Sequence, residues 1–236
     1  MKSLLSLFAA ACLLCSSASA LDIAALERAM ANPDRPAADK ERDDSRKAPQ
    51  VLDFLGLEEG MTVLDINAAA GWYTEVLSYA VGSNGTVHMQ NDAGGRAEEA
   101  AATRAGRLDN VEQVEDIGSL PANSVDFAIT ALNFHDFHNS NPERAQAILA
   151  DVKRALKPGG ILGIIDHEGT EGADNQALHR ISVEETLRAG TQAGFAVVGL
   201  SDVLDNPQDD HTVGPFDESL GRNTDRFVMK LVDMDM

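Results

Sequence analysis

The chain has 236 residues, enough for one domain with a full hydrophobic core. Aspartate and glutamate number 38 against 19 lysines and arginines, a formal charge of −19 that repels phosphate backbones and anionic lipid and so argues against nucleic acid as a partner. Both cysteines, Cys12 and Cys15, lie near the N-terminus, so the rest of the chain has no disulfide, thiolate metal site or cysteine nucleophile.

Residues 1–20 read as a secretory signal peptide. Lys2 supplies a positive start, LLSLFAAACLLC is an apolar run too short to span a bilayer comfortably, and ASA at 18–20 is a small-residue cleavage pattern. Cys12, Leu13 and Leu14 lack the small side chains expected before a lipidated cysteine at position 15. The expected product is periplasmic or secreted, without stable membrane insertion after cleavage. Residues 21–48 are charged and alanine-rich and read as a surface arm with one helical piece.

Residues 49–236 are expected to form the domain. QVLDFLGLEEG reads as a short helix closed by Gly56 or Gly60. TVLDI is an apolar strand, and WYTEVLSYAV a helix ended by Gly82. GTVHMQ is a second strand, GGRAEEAAATRAGRL a polar helix, VEQVED a third strand and SVDFAITAL a fourth. NPERAQAILADVKRAL starts a helix at an Asn-Pro signal, and GGILGIID is a fifth strand. SVEETLRAGTQAG opens with a capping box, Ser182 with Glu185, before the strands FAVVGLSDVL and DRFVMKLV. The alternation predicts an α/β domain with a single seven-stranded, mostly parallel sheet and helices on both faces. The last two strands are joined by an irregular Asp-, Pro- and Gly-rich stretch, so they are expected to form an antiparallel C-terminal edge.

This order, with VLDINAAAG and LKPGGILGIID, resembles the class I S-adenosylmethionine-dependent methyltransferase family over roughly residues 50–232. GWYTEVL, LNFHDFHN and TDRFVMKL resemble a subgroup of small exported methyltransferase-like proteins. The resemblance implies a Rossmann-like sheet and S-adenosylmethionine as cofactor. It places Asp65 at the family's acidic position and Asn67, Ala69 and Gly71 at its three glycines. Asn tolerates positive φ, Ala69 adds one methyl where backbone and ligand approach closely, and Gly71 remains where helix and strand pack. Asn91 stands at the family's ribose carboxylate, with Asp92 beside it, and Asp116 at the residue near the adenine amine.

Two polar groups follow strands four and five, where open α/β sheets build their sites. NFHDFH carries Asn133, His135, Asp136 and His138; DHE carries Asp166, His167 and Glu168. As neighbours they converge on one pocket, where His135 is assigned as the base, with Asp166 and His167 shaping the same pocket. His135, Asp136, Asp166 and His167 are also donors for a divalent ion, a minor alternative to an acid–base site. The leading expectation is methyl transfer to a small-molecule acceptor. The rivals are a non-catalytic binding protein on the same sheet and a metal-dependent enzyme using the His/Asp edge. The leader predicts a mature protein starting at Leu21; N-terminal sequencing of exported material checks this, and a soluble cytoplasmic protein retaining Met1 contradicts it.

Overall fold

The structure, a computed structural model, describes residues 19–95 and 97–234; most of the leader, residues 1–18, lies outside them. A short strand, β1 (Ser19–Ala20), pairs antiparallel with β2 (Glu58–Glu59). Helix α1 (Ile23–Met30) is capped by Asp22, whose side chain accepts the Ala25 N–H, and it buries Leu26 and Met30. The single turns α2 (Ala37–Lys40) and α3 (Asp43–Arg46) follow, then α4 (Ala48–Leu55). Gly56 closes α4 at φ +83, a conformation that an L side chain resists.

The arm therefore carries three helices rather than one, and it is fastened to the domain. Its buried charges, Arg35 and Asp39, are paired. Arg35 meets Asp43 at 2.6 Å, and Asp39 meets Arg104 at 2.5 Å. The Trp72 indole donates to the Asp39 carbonyl at 3.0 Å, and the Arg46 guanidinium lies 4.5 Å over the Trp72 ring.

The main sheet starts at β3 (Thr62–Ile66) and alternates through α5 (Trp72–Val81), β4 (Thr86–Gln90), α6 (Glu98–Ala105), β5 (Val111–Val114) and β6 (Val125–Ala131). Helices α7 (Phe134–Ser140) and α8 (Pro142–Ala155) lead to β7 (Leu156–His167), then α9 (Val183–Gln192), β8 (Phe195–Ser201) and β9 (Arg226–Asp233). The order is β5-β4-β3-β6-β7-β9-β8. The first five strands run parallel, and β9 is antiparallel to both β7 and β8. The seven-stranded sheet and its antiparallel edge are those expected. The caps are also where the sequence puts them, with Ser182 accepting the Glu185 N–H and Asn141 the Arg144 N–H.

Alternate residues of the strands feed two cores. Val63, Phe127, Ile129 and Val228 face one, while Leu64, Ile66, Ala128 and Met229 face the other. Burial on both faces explains the continuous apolar runs. From β3 the chain winds outward one way to β5, then returns to the other side of β3 for β6, so the topological switch point lies at the carboxyl ends of β3 and β6. Among the described residues no helix is long and apolar enough to cross a membrane.

One buried arginine joins the arm to this sheet. Arg104 of α6 pairs with Asp39 and with fully buried Glu75 of α5, and its Nε donates to the Ala70 carbonyl at 2.6 Å. Arg104→Ala leaves two buried carboxylates short of a cation, a loss of about 3–5 kcal/mol. The urea midpoint should fall with an unchanged m-value; an unaltered midpoint contradicts the role.

Candidate functional site

The turn from β3 to α5 takes left-handed backbone three times: Asn67 at φ 50, Ala69 at φ 51 and Gly71 at φ 77. Asn67 adopts it readily. For Ala69 the left-handed conformation adds a cost of roughly 1–2 kcal/mol to the crowding read from the sequence. Side chains from neighbouring elements hold the turn in place. The Gln90 amide oxygen accepts the Asn67 N–H at 2.9 Å. Asn91 grips Ala69 from both sides, accepting its N–H at 2.7 Å and donating to its carbonyl at 3.1 Å. Asn133 donates to the Asn67 carbonyl at 3.0 Å, and Arg104 secures Ala70. At Gly71, a Cβ would stand 2.6 Å from Met89 Cε and 2.8 Å from Arg104 Cδ.

Asp65 sits behind the turn, 2% exposed, and accepts the Thr74 hydroxyl at 2.6 Å. Burial pushes its carboxyl up to about 7, against the opposing pull of Thr74 and Arg46.

Two hollows open in front of the turn. A cavity of about 540 Å³ is bordered by Asn67, Ala69, Asn91, Asp92 and Glu115, with α6 as its far wall. A smaller one of about 150 Å³ shares Asn67, Asp92 and Glu115 and adds Asp116, Ile117 and Phe137. Asp116 is exposed, and its carboxylate accepts the Gly118 N–H at 2.8 Å.

Beyond Asn133 the chain enters α7, and the two polar groups converge. Asp166, fully buried at the end of β7, accepts the His135 N–H at 2.7 Å, the His167 N–H at 2.8 Å, and lies 2.7 Å from His135 Nδ1. His135 Nε2 stands 3.3 Å from the exposed Asp136 carboxylate, which in turn lies 3.3 Å from His179 Nδ1. Burial opposes charge on His135, but the hydrogen bonds and charges of Asp136 and Asp166 outweigh it and push the ring up to about 10. His135 is therefore an imidazolium at neutral pH, a donor rather than a base, for as long as Asp136 stays against it. His167 shows the reverse. Burial, only partly offset by Asp166 and reinforced by His135, Arg226 and Arg180, brings it down to about 4. Its Nδ1 lies 2.5 Å from the Thr224 hydroxyl.

Residues 64–164 match the methyltransferase domain family. A SAM-dependent methyltransferase from Aquifex aeolicus is 26% identical, superposes with a TM-score of 0.63, and covers 90% of this chain and 98% of its own. A putative methyltransferase from Haloferax volcanii, solved with the Trm112 activator, is 17% identical at a TM-score of 0.61, over 89% of this chain and 98% of the other. The cyclase SpnF shares the fold at 20% identity and a TM-score of 0.59, over 85% and 84% of the two chains. No curated protein matches the chain. The chain has the class I S-adenosylmethionine-dependent methyltransferase fold. S-adenosylmethionine is the cofactor that this fold implies.

The cavities suit the nucleoside half of that cofactor. Asn91 is occupied by Ala69, whereas Asp92 has only an exposed 2.8 Å pair with Arg144, weak in water, and a long 3.4 Å contact from the Gln90 amide. Asp92 and Glu115 offer acceptors for ribose hydroxyls, while Ile117 and Phe137 offer apolar walls for a base. Gln90 and Glu115 were missed from the sequence although they adjoin singled-out positions. His179 and Thr224 were missed because 43 and 57 residues separate them from Asp136 and His167, their partners.

Asp65 carries a pH dependence. Its folded value near 7 exceeds the ordinary 3.8, so between those values the native state holds a proton that the unfolded chain releases. Its contribution to stability therefore falls as pH rises from about 4 to 7, by about 4 kcal/mol at most. Asp65→Asn should remove this slope and gain most over the wild type at pH 8; parallel pH–stability curves from urea titrations contradict it.

Proposed function

We propose that this protein is an exported S-adenosylmethionine-dependent methyltransferase acting on a small-molecule acceptor. One observation carries the reading: the cofactor turn and the histidine cluster are a single connected structure. Asn133 hydrogen-bonds the Asn67 carbonyl, and two residues later His135 is locked onto Asp166. Methyl transfer needs an acceptor aligned in line with the leaving sulfur and, for a hydroxyl or amine, a group to take its proton. S-adenosylmethionine supplies the electrophilic methyl group when bound. Asp166 fixes the His135 ring by its backbone N–H and by Nδ1 together, leaving Nε2 as the atom offered to the acceptor. An acceptor that displaces the exposed Asp136 carboxylate removes one of the two anions that hold His135 as an imidazolium; Nε2 then gives up its proton to solvent and, as a neutral ring still held through Nδ1 by Asp166, takes the proton of the acceptor. His167, packed 5.7 Å from His135 between ring centroids, closes the same pocket. The acidic composition favours a small molecule over nucleic acid, and export rests on the N-terminal leader.

A second reading, binding without turnover, has its own support. Asn91 and Ala69 bond each other at the place where the family keeps a ribose-binding carboxylate and a glycine.

Calorimetric titration with S-adenosylmethionine and its demethylated product tests what the readings share. Binding should be lost in Gly71→Val, whose side chain collides with Met89 and Arg104, and should be equal or tighter in Ala69→Gly, which relieves a left-handed alanine. Transfer of a labelled methyl group to a pool of phenols, acids and amines then separates them. His135→Gln should lower turnover by about two to four orders of magnitude with cofactor affinity kept. Cofactor binding without transfer selects the second reading, and full turnover in a folded His135→Gln removes His135 from the mechanism.

A further inference from the structure

The histidine cluster also has the geometry for a second use, alternative to proton transfer at His135 Nε2. His135 Nε2 and His179 Nδ1 both stand 3.3 Å from one oxygen of Asp136, and the three donor atoms all lie within 4.8 Å of one another. For metal–ligand bonds of about 2.0–2.1 Å, the edge of a coordination tetrahedron is about 3.3 Å. Two of the three edges already have that length.

The surroundings hold two of the three donors in place. His135 turns its other nitrogen to the buried Asp166, the carboxylate–histidine arrangement that fixes the tautomer and orientation of a ligating imidazole. His179 comes from the segment after β7, and that segment is anchored at the next residue. Arg180 is fully buried, pairs with Asp209 at 2.8 Å and donates to the Glu168 carbonyl at 2.7 Å. Asn139 of α7 donates to the Arg180 carbonyl at 2.7 Å, so the two segments that supply ligands are tied to each other. Phe216 packs against the His179 ring with centroids 5.9 Å apart and shields one side.

We infer that His135 Nε2, Asp136 Oδ1 and His179 Nδ1 form a site for one divalent transition cation of the zinc class. Two imidazoles and one carboxylate suit such an ion, whereas magnesium and calcium prefer all-oxygen sites. Asp136 and His179 are exposed, so the ion reaches the site without unfolding and keeps positions open to solvent. Asp166 acts as a positioning residue behind His135. An ion bound to Nε2 displaces its proton and excludes His135 from taking one from an acceptor, so the two uses are alternative states of one site, and the readout of this one is independent of activity.

The test is a titration of chelator-treated protein with cobalt(II), read from visible absorption. One equivalent should give the strong bands of a low-coordinate site, and zinc should displace it. Asp136→Asn and His179→Gln, exposed positions where folding is safe, should each weaken binding about tenfold or more. Asp166→Asn should weaken it about 10–100-fold with the three ligands intact. His211→Gln, which removes a separate histidine–carboxylate pair with Asp225, should leave it unchanged. Circular dichroism confirms that each variant is folded, and S-adenosylmethionine calorimetry on the same samples keeps this result apart from the methyltransferase reading. Absence of bands at millimolar cobalt, or binding that survives both Asp136→Asn and His179→Gln in folded protein, overturns the inference.

Discussion

Arg104 is the contact on which the rest of the site depends. Its guanidinium reaches the arm through Asp39, α5 through Glu75 and the β3–α5 turn through the Ala70 carbonyl. Three elements that share no sheet contact are thereby fixed relative to one another, in an interior where an unmatched charge would be costly. The helix that carries Arg104 is also the wall of the larger cavity, so the cation both shapes the pocket and holds its floor. Arg107 adds a second contact to Glu75 at 2.9 Å from the rim.

The turn shows how a glycine-poor sequence keeps a glycine geometry. Left-handed backbone at Ala69 persists because the surrounding structure over-determines it. Asn91 bonds the residue on both its peptide groups, while Gln90, Asn133 and Arg104 hold its neighbours. Asparagine suits this task better than the carboxylate usual at position 91, because it can donate as well as accept. In the proposed reading the ribose hydroxyls are met instead by Asp92 and Glu115, which line the same cavity.

Local signals in the sequence were faithful. The succession of strands and helices along the chain followed from apolar runs and their spacing, and the helix ends from Gly56, Gly82, Asn141 and Ser182. The antiparallel edge followed from a connection too irregular to be a crossover. The arm was harder to read, because Arg35, Asp39 and Asp43 have the composition of a solvated surface while their pairing is a tertiary fact. The site divided along the same line. The strand-end positions of His135, Asp166 and His167 were visible, since topology alone places them. The contributions of His179 and Thr224 were not, because folding brings them in from distant loops that carry no periodic pattern.

The placement of β9 has a consequence for synthesis. The last of the described strands is an interior one, lying between β7 and β8 and pairing with both. Until residues 226–233 emerge, each of those strands presents an unpaired edge, and the α9–β8 unit has no sheet to join. The far half of the sheet therefore cannot assemble progressively from the N-terminus. It closes only once β9 is available, and a chain cut before Arg226 would lose the join between two strands.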